Sequence, residues 1–186
     1  GAHLRGDGLN HGSAPISTAT IPPLEILETA YPVRFTQWAL RPDSGGPGTR
    51  RGGLGAIYEI ELLEEQADVF LFGERGKFPP QGVQGGSPAA CNRFQYEQRD
   101  GMHSPPLVSK MVGIKIAKGQ KVRLETPGGG GYGDPMQRDV EAVARDVWLG
   151  FVSAEKARDD YGVALDESGK PNFEATNDLR GGAMTR

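Results

Sequence analysis

The chain has 186 residues, enough for one domain with its own buried core. Its net charge of −3 argues against nucleic acid as a partner, because phosphate neutralisation needs a basic surface, and no apolar run approaches the roughly 18 residues that cross a membrane. The single cysteine, Cys91, cannot close an internal disulfide, which points to a reducing, cytoplasmic setting.

Residues 1–22 carry little periodicity and read as an extended arm. Pro22 and Pro23 suit the first turn of a short helix in which Leu24 and Leu27 share a face, and Pro32 ends it. Residues 33–41 are rich in β-branched and aromatic side chains and read as a strand. After a turn-rich block at 43–55, Tyr58, Ile60 and Leu62 alternate with Glu59 and Glu61, the period of a half-buried strand. Residues 68–75 are expected to form its antiparallel neighbour. A glycine- and proline-rich stretch, 76–90, then interrupts the strands.

Phe94 and Tyr96 alternate with polar residues up to an Asp100-Gly101 turn signal. The segments VGIKIA and KVRLETP, joined by Lys118-Gly119-Gln120, read as a further hairpin. Beyond residue 135 the pattern becomes helical. Asp139 is placed to cap a helix over 140–150 with Val143, Val147 and Phe151 on one stripe, and Ser153 to cap a second over 154–160. GVAL is a possible short strand, and FEATNDLR a last helix closed by Gly181-Gly182. Strands first and helices last predict an α+β fold, with an antiparallel β-rich N-terminal two-thirds and a short helical C-terminal region. The expected parts are the arm at 1–22, a β-rich glycine-loop region at 23–135 and a helical region at 136–186.

Two glycine-rich blocks are the candidate sites. In the first, Gly128, Gly129, Gly130 and Gly131, followed by Tyr132-Gly133-Asp134-Pro135, could turn their N–H groups toward an anion or cofactor. The block lacks the Lys-Ser/Thr pair of a phosphate-binding loop, which excludes autonomous ATP binding, and glycine's small size weighs toward a close-packing turn. In the second, Asp43 and Ser44 lie on a tight loop with Arg50 and Arg51 close behind, a set able to hold a carboxylate or phosphorylated substrate. The competing view has Asp43 and Ser44 capping their own turn and Arg51 paired with a surface acid. Asp43, Arg51 and Asp134 are the candidate catalytic residues. His3, His11 and His103 show no metal-ligand spacing, so no metal is assigned, and the loose set His3, Asp7 and His11 reads as solvated. Cys91 has no base beside it and reads as a packed thiol. Trp38, Trp148 and Tyr161 are expected to anchor a core or an interface.

In order along the chain, Asp7-Gly8, PLEILE at 23–28 with Tyr31-Pro32, RPDSGGPG at 41–48, Arg51-Gly52-Gly53-Leu54-Gly55, Arg75, Gly85-Gly86 and TPGGGGYGDP at 126–135 appear. Arg138-Asp139, Tyr161-Gly162-Val163, Ala175-Thr176 and Leu179-Arg180 complete the series. Together they resemble the hydantoinase B/oxoprolinase family, in particular the C-terminal part of its B-type polypeptides. The resemblance implies work with an A-type subunit that binds ATP and phosphorylates a carbonyl oxygen of the substrate. The B-type part then handles the activated intermediate. Cyclic amides such as 5-oxoproline or hydantoins are the implied substrates, with ketone carboxylation of the acetone or acetophenone type as the alternative and a non-catalytic assembly module as a third. The family's divalent metal is held by His and Asp residues of the upstream B-type portion. ATP with magnesium, and that metal, are therefore expected on companion parts, with no cofactor on this chain.

Overall fold

The computed structural model describes residues 1–12 and 20–181, so part of the expected arm and Gly182 lie outside the described residues. The fold is α+β. The strands β1 (Val33–Leu40), β2 (Ala56–Leu62), β4 (Arg93–Gln98), β5 (Gly101–His103) and β7 (Lys121–Glu125) form an antiparallel sheet in the order β1-β2-β7-β4-β5. A second sheet holds only β3 (Gln66–Phe72) and β6 (Lys110–Ala117). Four helices, α1 (Leu24–Ala30), α2 (Val140–Trp148), α3 (Ala154–Tyr161) and α4 (Phe173–Leu179), flank them, the last three in the C-terminal region.

Two strand pairings differ from expectation. β3 does not pair with β2, and β6 does not form a hairpin with β7. Instead β2 pairs with β7 and β3 with β6. Each of the two segments 56–72 and 110–125 bends at the same level, so that one long antiparallel ribbon turns a corner from the large sheet to the small one. Backbone bonds across the corner hold it: Gly119 N–H to Leu62 O at 2.8 Å, Leu62 N–H to Gln120 O at 3.0 Å and Lys118 N–H to Glu65 O at 3.2 Å. Gly119, at φ 81°, supplies the bend. The turn residues at Lys118-Gly119-Gln120 are genuine, but they redirect a strand and do not reverse it.

Residues directly opposed in antiparallel strands share a face, so Trp38, Tyr58, Leu124 and Phe94 lie on one side of the large sheet. Over Leu62 and Phe94 the small sheet closes a core with Leu71, Ile114 and Ile116, and Val122, Leu124 and Tyr96 pack against it. The opposite face carries an ion ladder. Glu59 pairs with Lys121 (3.2 Å) and Arg123 (3.1 Å), and Glu125 with Arg123 (3.0 Å) and Arg41 (3.3 Å). The strict alternation seen in β2 therefore separates an apolar layer from a charged one.

The helical region has its own core of Val140, Val143, Val152, Ala157, Tyr161 and Val163. Asp139 caps α2 through Ala142 N–H at 2.8 Å, and Ser153 caps α3 through Lys156 N–H at 3.1 Å, both as expected. α2 stops at Trp148, two residues early, because Gly150 takes φ 71° and turns the chain. Phe151 thus lies beyond the helix, and GVAL contributes only an isolated bridge from Leu165 to Pro171. Tyr161 is buried as an anchor, whereas Trp148 is 83% exposed. Phe70, Phe72 and Val112 leave an apolar strip on the outer side of the small sheet. Among the described residues, no helix is long and apolar enough to cross a membrane.

Candidate functional site

The glycine block lies at the centre of a stack of backbone segments. Gly46 N–H donates to Gly129 O (2.9 Å), Gly129 N–H to Gly53 O (2.8 Å), Gly131 N–H to Ser87 O (3.0 Å) and Gly133 N–H to Val83 O (3.0 Å). Segments 44–48, 50–53 and 81–87 thereby close around 128–133. They approach so tightly that side chains have no room. A Cβ on Gly128 would run into Ser44 O, on Gly130 into Gln81 O and on Gly131 into Pro47 O, while one on Gly129 would sit 2.7 Å from Gly1 Cα. With the N–H groups of Gly129 and Gly131 already donating to carbonyls, these glycines bring backbones together and do not fan out around an anion.

The candidate catalytic residues are engaged within the chain. Asp43, held at φ 57°, accepts Ser153 N–H at 2.8 Å and ties the 43–48 loop to the start of α3. Asp134 caps the 3-10 turn Pro135–Gln137 by accepting Met136 N–H at 2.9 Å. Arg51 is 3% exposed and pairs not with a surface acid but with Asp146, which lies on the inner side of α2 and is itself buried. Asp146 Oδ2 accepts from Arg51 Nε (3.1 Å) and from Arg138 Nη2 (2.8 Å), and Arg138 reaches on to both oxygens of Asp7 at 2.8 Å. Two guanidiniums and two carboxylates thus balance inside the protein, joining the arm, the glycine stack and α2. Burial alone would raise the Asp7 carboxyl, but the Arg138 guanidinium bonded to it holds it below the usual carboxylate range. Arg51 also lies over the Phe151 ring, 5.2 Å from its centroid. That these four meet carries no sign in the sequence: Asp7 reads there as part of a solvated set with His3 and His11, and nothing singles out Asp146.

The open space lies beside the stack. A cleft of about 1020 Å³ is bounded by the arm, the 53–55 segment, the 126–129 segment and Arg75. Gly128 and Gly129 form part of its wall, so two of the four candidate glycines border a concavity, while Asp43, Arg51 and Asp134 do not. His11 stands at this wall with its Nε2 hydrogen-bonded to the Tyr58 hydroxyl, and Tyr58 packs edge-on against Trp38 with ring centroids 4.3 Å apart. Burial pushes the Tyr58 phenol up, so it stays protonated at neutral pH. Of the four non-glycine residues in the left-handed region among the described residues, two line this cleft: His11 at φ 47° and Arg75 at φ 63°. That conformation costs roughly 1–2 kcal/mol at each. The Arg75 loop is held by Asn92 N–H donating to Arg75 O (2.9 Å) and by the buried Asn92–Ser109 side-chain bond (2.9 Å) behind it. Among the described residues, no three His, Cys, Asp or Glu side chains converge as a metal site. No donor set for the divalent metal of the resemblance is therefore gathered among the described residues.

Residues 1–135 match the family model for hydantoinase B/oxoprolinase. The chain belongs to this family. It is 35% identical over 158 residues to caprolactamase subunit beta of Pseudomonas jessenii, covering 83% of this chain. It is also 29% identical over 133 residues to 5-oxoprolinase of Dictyostelium discoideum, covering 72% of this chain. The crystal structure of the ATP-dependent caprolactamase from Pseudomonas jessenii superposes with a TM-score of 0.75 at 35% identity, over 85% of this chain. The nucleotide-free structure of acetone carboxylase superposes with a TM-score of 0.80 at 24% identity, over 97% of this chain, which is a likeness of fold. The hydantoinase B/oxoprolinase chain described here spans 27% of the length of the caprolactamase subunit and 28% of each solved chain.

Proposed function

We propose that this chain forms the C-terminal part of the B-type component of an ATP-dependent cyclic-amide hydrolase. It works with the upstream B-type portion and a hydantoinase A-type, ATP-binding partner in the cytoplasm. The observation that carries this reading is the 35% identity to a caprolactamase subunit beta across most of the chain. The chemistry suits a divided machine. A lactam carbonyl is a poor electrophile, and phosphorylating its oxygen on the partner activates the carbonyl carbon, so that water adds, the ring C–N bond breaks with a proton passing to nitrogen, and hydrolysis of the resulting acyl phosphate releases phosphate. ATP with magnesium and the hydrolytic metal belong to the companion parts, and Asp43, Arg51 and Asp134 hold this chain's fold.

The test is ATP hydrolysis by the complete complex, isolated with its companions and offered lactams, hydantoins, and ketones with bicarbonate. ATP cleavage coupled to ring opening of a lactam or hydantoin supports the reading. Coupling to a ketone, dependent on bicarbonate, replaces it with a carboxylase. Full lactam turnover by a complex lacking this chain would reduce the chain to an assembly module.

A further inference from the structure

The small sheet is apolar on both faces. In β2 apolar and charged residues alternate, as suits a strand with one buried side. In β3 the run Val69-Phe70-Leu71-Phe72 is apolar throughout, a pattern that belongs to strands covered on both sides. The inner side is already closed, since Leu71, Ile114 and Ile116 are buried against the large sheet. The outer side is open. Phe72 opposes Lys110, so Val112, two residues on, shares their face. Phe70 is 70%, Phe72 90% and Val112 70% exposed.

This strip runs on into a cleft at the end of the ribbon. Gly73, next after Phe72, and Lys110, opposite it, line a hollow of about 550 Å³ together with Phe78 and Leu107, each 71% exposed. The three phenylalanines alone present roughly 400 Å² of hydrocarbon, a size at which apolar patches mark interaction sites. The charges around them are answered within the chain: Lys110 pairs with Glu74 at 2.7 Å and Lys115 with Asp68 at 3.7 Å. An apolar centre inside a self-neutralised rim has the anatomy of a protein interface and offers an anionic lipid little to hold. The chain spans 27% of the caprolactamase subunit it resembles and 28% of that solved chain. In such a polypeptide roughly three-quarters of the residues are tethered to this face, at a local concentration that a separate subunit or a second copy does not reach.

We propose that the outer face of the small sheet, with the adjoining cleft, is the docking surface for the upstream portion of the B-type polypeptide. That portion lays an apolar face over Phe70, Phe72 and Val112 and sets a hydrocarbon side chain into the cleft beside Phe78 and Leu107. The inference rests on the reading of this chain as the C-terminal part of a B-type component, and it names the face that meets the rest.

The test uses the complete complex. Hydroxyl-radical footprinting of the wild-type protein reads these side chains without any substitution. Phe70 and Phe72 should oxidise about 10-fold more slowly in the complex than in the urea-unfolded polypeptide, as when a side chain loses nearly all its exposure. Equal rates would show the strip open to water and end the proposal. Photo-crosslinking from Phe72→p-benzoylphenylalanine then identifies the cover. Adducts to upstream peptides of the same B-type polypeptide are expected; adducts to the A-type partner or to a second copy of this face, or none, overturn the proposal. Turnover is read separately. A complex that opens lactams but crosslinks elsewhere refutes the docking alone, and one that crosslinks as expected but turns over only a ketone refutes the hydrolase reading alone.

Discussion

Replacing Asp146 with Asn removes one negative charge from a buried set of four. In the native protein Asp146 Oδ2 accepts from Arg51 and Arg138 together, and its side chain is 8% exposed. After Asp146→Asn, two buried guanidiniums face Asp7 alone, whose side chain is 34% exposed. Removing one partner from a buried ion pair costs about 3–5 kcal/mol, because the remaining charge stays desolvated. Arg138 keeps its bidentate contact with Asp7, so the lower end, about 3 kcal/mol, is expected, and Arg51 bears most of it. The readout is hydrogen exchange of the α2 amides in the complete polypeptide, where a loss of that size speeds exchange roughly 100-fold. Adding Arg51→Gln to Asp146→Asn rebalances the charges at one guanidinium and one carboxylate. The double variant is therefore expected to exchange more slowly than the two single effects combined, by a coupling of about 1–3 kcal/mol. Exchange within threefold of wild type in Asp146→Asn, or strict additivity in the double variant, would refute the charge-balance argument.

Gly130→Ala places a methyl 2.8 Å from Gly82 N and closer still to the Gln81 carbonyl, so the stack must open; a loss above about 3 kcal/mol, or failure to fold, is expected by urea unfolding. The Asp7 carboxyl is depressed in the folded protein, so its contribution is complete above its ordinary value of 3.8 and disappears as pH falls through the folded value. Pepsin cleavage near Leu4 and Leu9 should therefore begin only below about pH 4 in wild type, and Asp7→Asn should be cut across the whole acidic range. The Tyr161 hydroxyl is buried without a partner among the described residues, and burial pushes it far up. Tyr161→Phe should leave stability unchanged or raise it by about 1 kcal/mol, roughly 2–4 °C in the melting midpoint, whereas a drop would reveal a bound water.

The strands and helices were legible because their signals are local. The alternation of Tyr58, Ile60 and Leu62 against Glu59 and Glu61 marks β2, and Asp139 and Ser153 mark the starts of α2 and α3. Partners were not legible. Lys118-Gly119-Gln120 has the composition of a hairpin loop, and whether it reverses a strand or bends it depends on Leu62 and Glu65, more than fifty residues away. The same limit hid the quartet: Asp7, Arg51 and Arg138 stand in phrases that carry the resemblance and Asp146 does not, but that the four meet is a property of the fold. The glycine block was visible as a close-packing element, but the carbonyls of Ser44, Gln81 and Pro47 that demand it were not. Arg75 and His11 stood out only as residues of a motif or a loose cluster, since their left-handed backbone and shared cleft are properties of three dimensions.

In the proposed complex, residues 126–135 pack backbone against backbone and the nucleotide is held on a companion polypeptide. Photo-crosslinking the complete complex with an azido-ATP analogue, followed by peptide mapping, tests it most directly. Label confined to the companion polypeptide is the predicted result; label recovered on the glycine block, competed away by ATP, would contradict it.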